Sequence, residues 1–86
     1  MELSSLEIRI LFRCQKALLQ KKYISQYYAR YSSSERKKAI NTLIEKGLVI
    51  SMQLPKPDVK KKPTLYKITK KGNSWIANYK KNYPAT

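Results

Sequence analysis

Histidine is absent from these 86 residues, cysteine occurs once, glycine twice, and five Asp and Glu stand against nineteen Lys and Arg. Each shortage closes off a class of chemistry. A protein-built zinc site has almost no ligands to draw on, and a lone Cys14 cannot form an intramolecular disulfide. The usual nucleophile–base pairs lack a second member, so no catalytic residue, metal or cofactor is expected and the chain does not read as an enzyme. Cys14 falls within a helical apolar stripe and reads as a small buried hydrophobe. Two glycines and four prolines, with 42% hydrophobic and 28% charged residues, argue for a globular chain over a largely disordered one. No apolar run approaches the roughly 20 residues of a spanning helix, and no lipidation motif or signal peptide is visible. The expectation is a soluble cytoplasmic protein with no membrane partner.

What is abundant is positive charge, formally +14. The length sets a single domain over residues 1–86 with one modest core. Such a molecule repels itself and attracts polyanions, of which nucleic acid is the foremost.

Ser4 and Glu7 have capping-box spacing, with Leu3 and Ile8 placed as a hydrophobic staple, which predicts a first helix over about 4–20. Leu6, Ile10, Leu11, Cys14, Ala17 and Leu18 recur at three and four along it. Ile8, Phe12 and Leu19 widen that stripe, and a helix so apolar around its girth either packs on two sides or offers surplus surface to a partner. Beyond Lys21-Lys22, Tyr23-Ile24 reads as an extended link and Ser25 as the cap of a second helix over about 25–31, with Ile24, Tyr28 and Ala29 inward. Ser32-Ser33-Ser34 reads as the turn into a third helix over about 33–46, where Ala39, Ile40, Leu43 and Ile44 have core spacing. Gly47 suits a Schellman cap that folds Leu48 back onto Leu43.

Leu48, Ile50, Met52 and Leu54 then alternate with Val49, Ser51 and Gln53, the period of a half-buried strand. Pro55 to Pro63, PKPDVKKKP, reads as a loop, and Thr64 to Ile68 as a returning strand with Tyr66 and Ile68 inward, a hairpin over about 48–68. Thr69 is placed to cap a C-terminal helix over about 69–82 whose Ile76 and Tyr79, with Trp75 beside them, close over the core before it frays near Pro84.

If the third helix hides its apolar residues, Ser34, Lys37, Lys38, Asn41 and Thr42 turn outward, and these can meet phosphates through ammonium groups and base edges through amide and hydroxyl. The Asn41 carboxamide is the strongest candidate for base reading, since it can pair with adenine N6 and N7 together. Lys56, Lys60, Lys61 and Lys62 crowd the loop with Asp58 as its only acid, a set suited to duplex phosphates. Ser25, Gln26 and Arg30 on the second helix, and Ser32 to Ser34 at the third, are candidate phosphate ligands beside helix starts. Tyr23, Tyr27, Tyr28 and Tyr31, four tyrosines in nine residues, suit either stacking on single-stranded bases or a half-buried core with wet hydroxyls.

Leu43-Ile44-Glu45-Lys46-Gly47-Leu48-Val49 and Tyr66-Lys67-Ile68-Thr69-Lys70-Lys71-Gly72, in that order around a basic loop, resemble the winged helix-turn-helix superfamily. The likeness covers roughly residues 22–76 and is greatest to MarR-type and small archaeal, viral and plasmid regulators. It implies an α+β fold of three helices, a two- or three-stranded β-wing and a C-terminal helix. It further implies a sequence-specific transcriptional regulator of double-stranded DNA, with the recognition helix in the major groove and the wing on the backbone or minor groove. A homodimer through helix 1, the C-terminal helix or both is the arrangement it suggests, at the nucleoid or, if virus-encoded, in host cytoplasm.

Asp58-Val59-Lys60 resembles the Asp-x-Arg of the MarR wing, with a point charge where that family has a planar fork. Arg36 stands where these helices usually carry an apolar residue, so it is expected to snorkel outward to a phosphate. There is little room for the terminal helices through which MarR proteins dimerise. The same fold also serves protein-interaction modules of transcription or replication complexes and nonspecific chromatin or RNA binders, which stand as the alternative functions.

Overall fold

Two serine–glutamate pairs set where the long N-terminal half of the chain turns helical. The Ser4 hydroxyl accepts from the Glu7 N–H at 3.2 Å while the Glu7 carboxylate accepts from the Ser4 N–H at 3.0 Å. Ser32 and Glu35 repeat the exchange at 3.1 and 3.2 Å. Each box satisfies two backbone donors that a helix start leaves free. In this computed structural model, which describes residues 2–53 and 63–82, the order is α1 (Ser5–Lys16), β1 (Leu19–Gln20), α2 (Lys21–Tyr27), α3 (Ser33–Glu45), β2 (Val49–Gln53), β3 (Thr64–Ile68) and α4 (Lys70–Asn82). The fold is α+β: four helices and a three-stranded antiparallel sheet in the order β1-β3-β2. No helix of the described residues is long and apolar enough to cross a membrane.

Helix α2 ends at Tyr27 instead of about 31, and two further boundaries differ from the sequence reading for one physical reason. Helix α1 stops at Lys16, four residues short of the expected end, because Ala17 adopts an extended conformation. Leu19 and Gln20 then pair with Tyr66 and Leu65 of β3. That long-range ladder displaces the last helical turn, and Leu18, expected on the apolar stripe, is 48% exposed. Helix α2 consequently starts at Lys21, so Tyr23 and Ile24 are helical and Ser25 is interior to the helix instead of its cap. Ala29, expected inward, lies exposed in the turn, whereas Ile24 and Tyr28 are buried as their spacing implied. The link between α2 and α3 is formed by Tyr28 to Tyr31, and Ser32 is the α3 cap, with Ser33 and Ser34 already inside the helix.

The sheet register also corrects the reading of β2. Ladder partners share a face, so Leu19, Val49, Tyr66 and Ile68 look toward the helices while Gln20, Ile50, Met52, Leu65 and Lys67 share the other side. Ile50 and Met52, read as half-buried, are 48% and 38% exposed. The slip arises at the helix end: Leu48 belongs to the cap and Val49 opens the strand, and both are fully buried. Alternation therefore restarts from Val49, which moves every later β2 side chain to the opposite face. Leu54, the last apolar position of the expected strand, lies outside the described residues, as do the loop residues 55–62 and Pro84.

Helix α1 runs through the centre of the core. Ile10 and Leu11 are fully buried against Leu43, Leu48, Val49 and Ile76, with Cys14 beside them. Phe12 meets Tyr79 of α4 edge-on at 5.9 Å, and Lys80 lies 5.6 Å above its ring. Most of the apolar girth of helix 1 is thus taken up within the chain, with Ile8 and Phe12 half-buried at its edge. Among the described residues, the exposed large hydrophobics are Leu18, Tyr23, Tyr27, Ile50 and Met52, and none belongs to α1 or α4.

The end of α3 and the start of α4 are fastened to each other. Gly47 takes the left-handed φ of 74°, the Gly47 N–H reaches the Ile44 carbonyl, and the Leu48 N–H reaches the Leu43 carbonyl, which completes the Schellman cap. The Gly47 carbonyl then accepts from the Thr69 hydroxyl at 2.7 Å, and the Leu48 carbonyl from the Thr69 N–H at 3.0 Å. The same hydroxyl accepts from the Gly72 N–H at 3.0 Å, capping α4. A Cβ on Gly72 would run into the Leu48 carbonyl oxygen and lie 2.6 Å from Ile68 Cγ1, so the spacing Thr69-x-x-Gly72 is required by this contact.

The two glycines should respond differently to alanine. Gly72→Ala forces the joint apart and is expected to cost about 1–3 kcal/mol as an overpacking substitution. Gly47→Ala meets no atom closer than 3.8 Å, leaving only the left-handed backbone penalty of about 1 kcal/mol. Urea unfolding of the two variants checks the order, and an equal or reversed cost would refute it. Burial also pushes the Cys14 thiol up to about 11. It should therefore react with an aromatic disulfide reagent at pH 8 at least tenfold more slowly in the native protein than in urea, where its accessible thiolate fraction is larger.

Candidate nucleic-acid interface

The residues expected to touch DNA divide between two ridges of α3, as the helical repeat requires. Ser33, Lys37 and Asn41 stand four apart and line one side of a 320 Å³ groove. Lys21 and Ser25 of α2 face them across it, with Tyr66 of β3, Ile24 and Ile40 as its more apolar parts. Burial of α3 through Ala39, Ile40 and Leu43 holds this ridge outward, and Asn41 and Lys37 are exposed. No carboxylate lines the groove, so the cations Lys21, Lys37 and Arg36 share it with the neutral donors and acceptors of Ser25, Ser33, Asn41 and Tyr66. Burial raises the Tyr66 phenol above its ordinary value, so it stays a neutral hydroxyl at the groove wall.

Ser34, Lys38 and Thr42 form the second ridge. Lys38 lines a separate hollow between the starts of α1 and α3, beside Glu7 and Glu35, and Thr42 is half-buried. These three are therefore not brought together with Asn41. Gln26 is exposed on α2 away from the groove lining, and Arg30 stands on the far side of α2, against α1. Lys56, Lys60, Lys61 and Lys62, the expected wing contacts, lie outside the described residues. Among the described residues no group of three Cys, Asp or Glu side chains is placed to hold a metal ion.

Arg36 also lines the groove, but its guanidinium is engaged with backbone there instead of extending freely to solvent as expected. Its Nη1 donates to the Tyr31 carbonyl at 2.6 Å and to the Tyr28 carbonyl at 3.3 Å, which also accepts from the Tyr31 N–H, so it clamps both ends of the turn between α2 and α3. A guanidinium on a long stem can lie along the flank of α3 and still satisfy these carbonyls. Lys21 is the groove residue that the sequence reading missed. It lies just past the expected end of helix 1, and only the pairing of Leu19 and Gln20 with β3 turns it into the first residue of α2.

Comparison of the chain with protein-family models, with curated proteins and with solved structures gave no match. The residues and their geometry therefore carry the functional argument alone.

The different roles of neighbouring cations on α3 can be separated by stability. Arg36→Met keeps the stem and removes the clamp on the turn, and should destabilise the fold by about 1–2 kcal/mol. Lys37→Met should stay within about 0.5 kcal/mol of the parent, as an exposed substitution does. Equal unfolding midpoints in urea would show that Arg36 has no structural role.

Proposed function

We propose that this chain is a winged helix-turn-helix protein that binds double-stranded DNA and regulates transcription by occupying a specific site. In this reading α3 enters the major groove, Asn41 reads a base edge, and Lys21, Lys37, Ser25 and Ser33 hold the flanking phosphates. The lysines at 56, 60, 61 and 62, between β2 and β3 in sequence, add backbone or minor-groove contacts from the wing. The observation that carries the proposal is the carboxylate-free groove in which the Ser33–Lys37–Asn41 ridge faces Lys21 and Ser25. It combines phosphate-pairing cations with a bidentate amide on one exposed helix face, the pairing of functions that separates site-specific from purely electrostatic binding. The formal charge of +14 supports it by supplying the long-range attraction.

The first helix gives little support to a homodimer, since most of its apolar surface is taken up inside the chain. A second reading, a protein-interaction module that borrows this architecture, is favoured by one observation only: Ile50 and Met52 stand exposed together on the outer face of the edge strand β2.

Selection of bound fragments from random duplex pools tests the proposal directly, and failure to retain any duplex over excess competitor would refute it. In the selected complex, Lys21→Ala and Lys37→Ala should each lower the slope of log affinity against log salt by about 0.9 and weaken all duplexes alike. Asn41→Ala should relax preference at one base pair, a discrimination of about 1–3 kcal/mol.

A further inference from the structure

A second cleft, of 490 Å³, opens between α1 and the end of α2 and shares no lining residue with the groove on α3. Its volume falls within the roughly 300–1,000 Å³ of small-ligand sites. Four cations line it: Arg9, Arg13 and Lys16 from α1 and Arg30 from the turn. No carboxylate does. The remaining wall is mostly aromatic, with Tyr27, Tyr28 and Tyr31 on one side and Phe12 beside the aliphatic Ile8 on the other. Three of the four clustered tyrosines noted in the sequence are thus gathered with arginines in one place.

The arrangement is preset. The Arg13 guanidinium lies 4.0 Å from the centre of the Tyr27 ring, and its charge acts on the buried Tyr28 phenol beside it. A stacked guanidinium keeps further N–H groups free along its edge, where a phosphate can be gripped by two at once. Arg9, Arg13 and Lys16 follow one another along one flank of α1 over about 10 Å at 1.5 Å per residue, more than a single phosphate occupies.

We propose that this cleft binds an unpaired nucleotide, free or within a single strand, with its phosphate on the arginines and its base against the tyrosines. A simple anion would leave the aromatic wall unused, and an apolar ligand would leave four cations uncompensated. A duplex offers phosphates and base edges but no base faces, because its bases are stacked on one another. An unpaired nucleotide satisfies both walls, through stacking that any base can supply.

Calorimetry with AMP, adenosine, inorganic phosphate and a short oligothymidylate tests this, together with amide shifts in NMR. AMP should bind about tenfold more tightly than either phosphate or adenosine, with shifts centred on Arg9, Arg13, Tyr27 and Arg30. A strand that binds more tightly than AMP identifies single-stranded nucleic acid as the source, and equal affinity identifies the free nucleotide. Tyr27→Leu and Arg30→Gln, both at exposed positions, should each weaken AMP by about tenfold while duplex binding persists. Lys37→Ala should leave AMP affinity unchanged, so failure of this site and failure of the duplex reading are separable. Phosphate binding as tightly as AMP, indifference to Tyr27→Leu, or shifts confined to the α2–α3 groove would overturn the proposal.

Discussion

One hydroxyl ties the two halves of this fold together. Thr69 Oγ1 donates to the Gly47 carbonyl and accepts from the Gly72 N–H, while the Thr69 N–H fills the Leu48 carbonyl. Four backbone groups that would otherwise be left open, two at the end of α3 and two at the start of α4, are satisfied through one residue. The joint fixes the direction in which the chain leaves α3, and hence where Val49 enters the sheet. It also brings α4 close enough for Ile76 to be buried against the core. The outward orientation of the Ser33–Lys37–Asn41 ridge depends on this, since α3 can turn that face to solvent only if its opposite face and its end are held.

The parts of the fold visible in the sequence are those set by local chemistry. Ser4 and Glu7 marked α1, Gly47 marked the end of α3, and Thr69-x-x-Gly72 marked the start of α4, because caps and left-handed turns are written within a few residues of where they act. The misplaced parts were set by distant partners. Nothing near Leu19 announces a strand, since its partner is Tyr66. Likewise, alternation from Leu48 to Leu54 could not reveal its phase, because Leu48 is claimed by the cap of the preceding helix. The candidate site followed the same division: the α3 ridge was legible from its 3.6 period, whereas Lys21 depended on where α2 began, and Arg36 on two carbonyls exposed by the turn.

Charge is distributed under an unusual constraint. Of the four carboxylates among the described residues, Glu7 and Glu35 are engaged in helix caps. Most cations therefore have no internal acid to pair with, and their placement follows from which helix flank is left exposed. The two larger carboxylate-free clefts lie one beside α3 and one beside α1. Their polar partners differ: the first offers hydroxyls and an amide suited to base edges, and the second offers rings suited to base faces. The same excess of positive charge is thus compatible with two distinct modes of contact with nucleic acid.

Both clefts meet at α2, which has little of its own to hold it. It has seven residues, and its cap, Gln20, makes no side-chain hydrogen bond to the helix start. A helix of that length is unstable in isolation, so its position must come from its neighbours. β1 anchors its N-terminal side through the ladder with β3, Ile24 and Tyr28 bury one flank, and Arg36 holds the carbonyls at its far end. Lys21 and Ser25 thereby face α3 while Tyr27 and Tyr28 face α1. The weakest local signal in the chain thus belongs to the element that shapes both grooves. Its placement is inherited from contacts made far along the sequence, and no inspection of residues 21–27 by themselves would supply it.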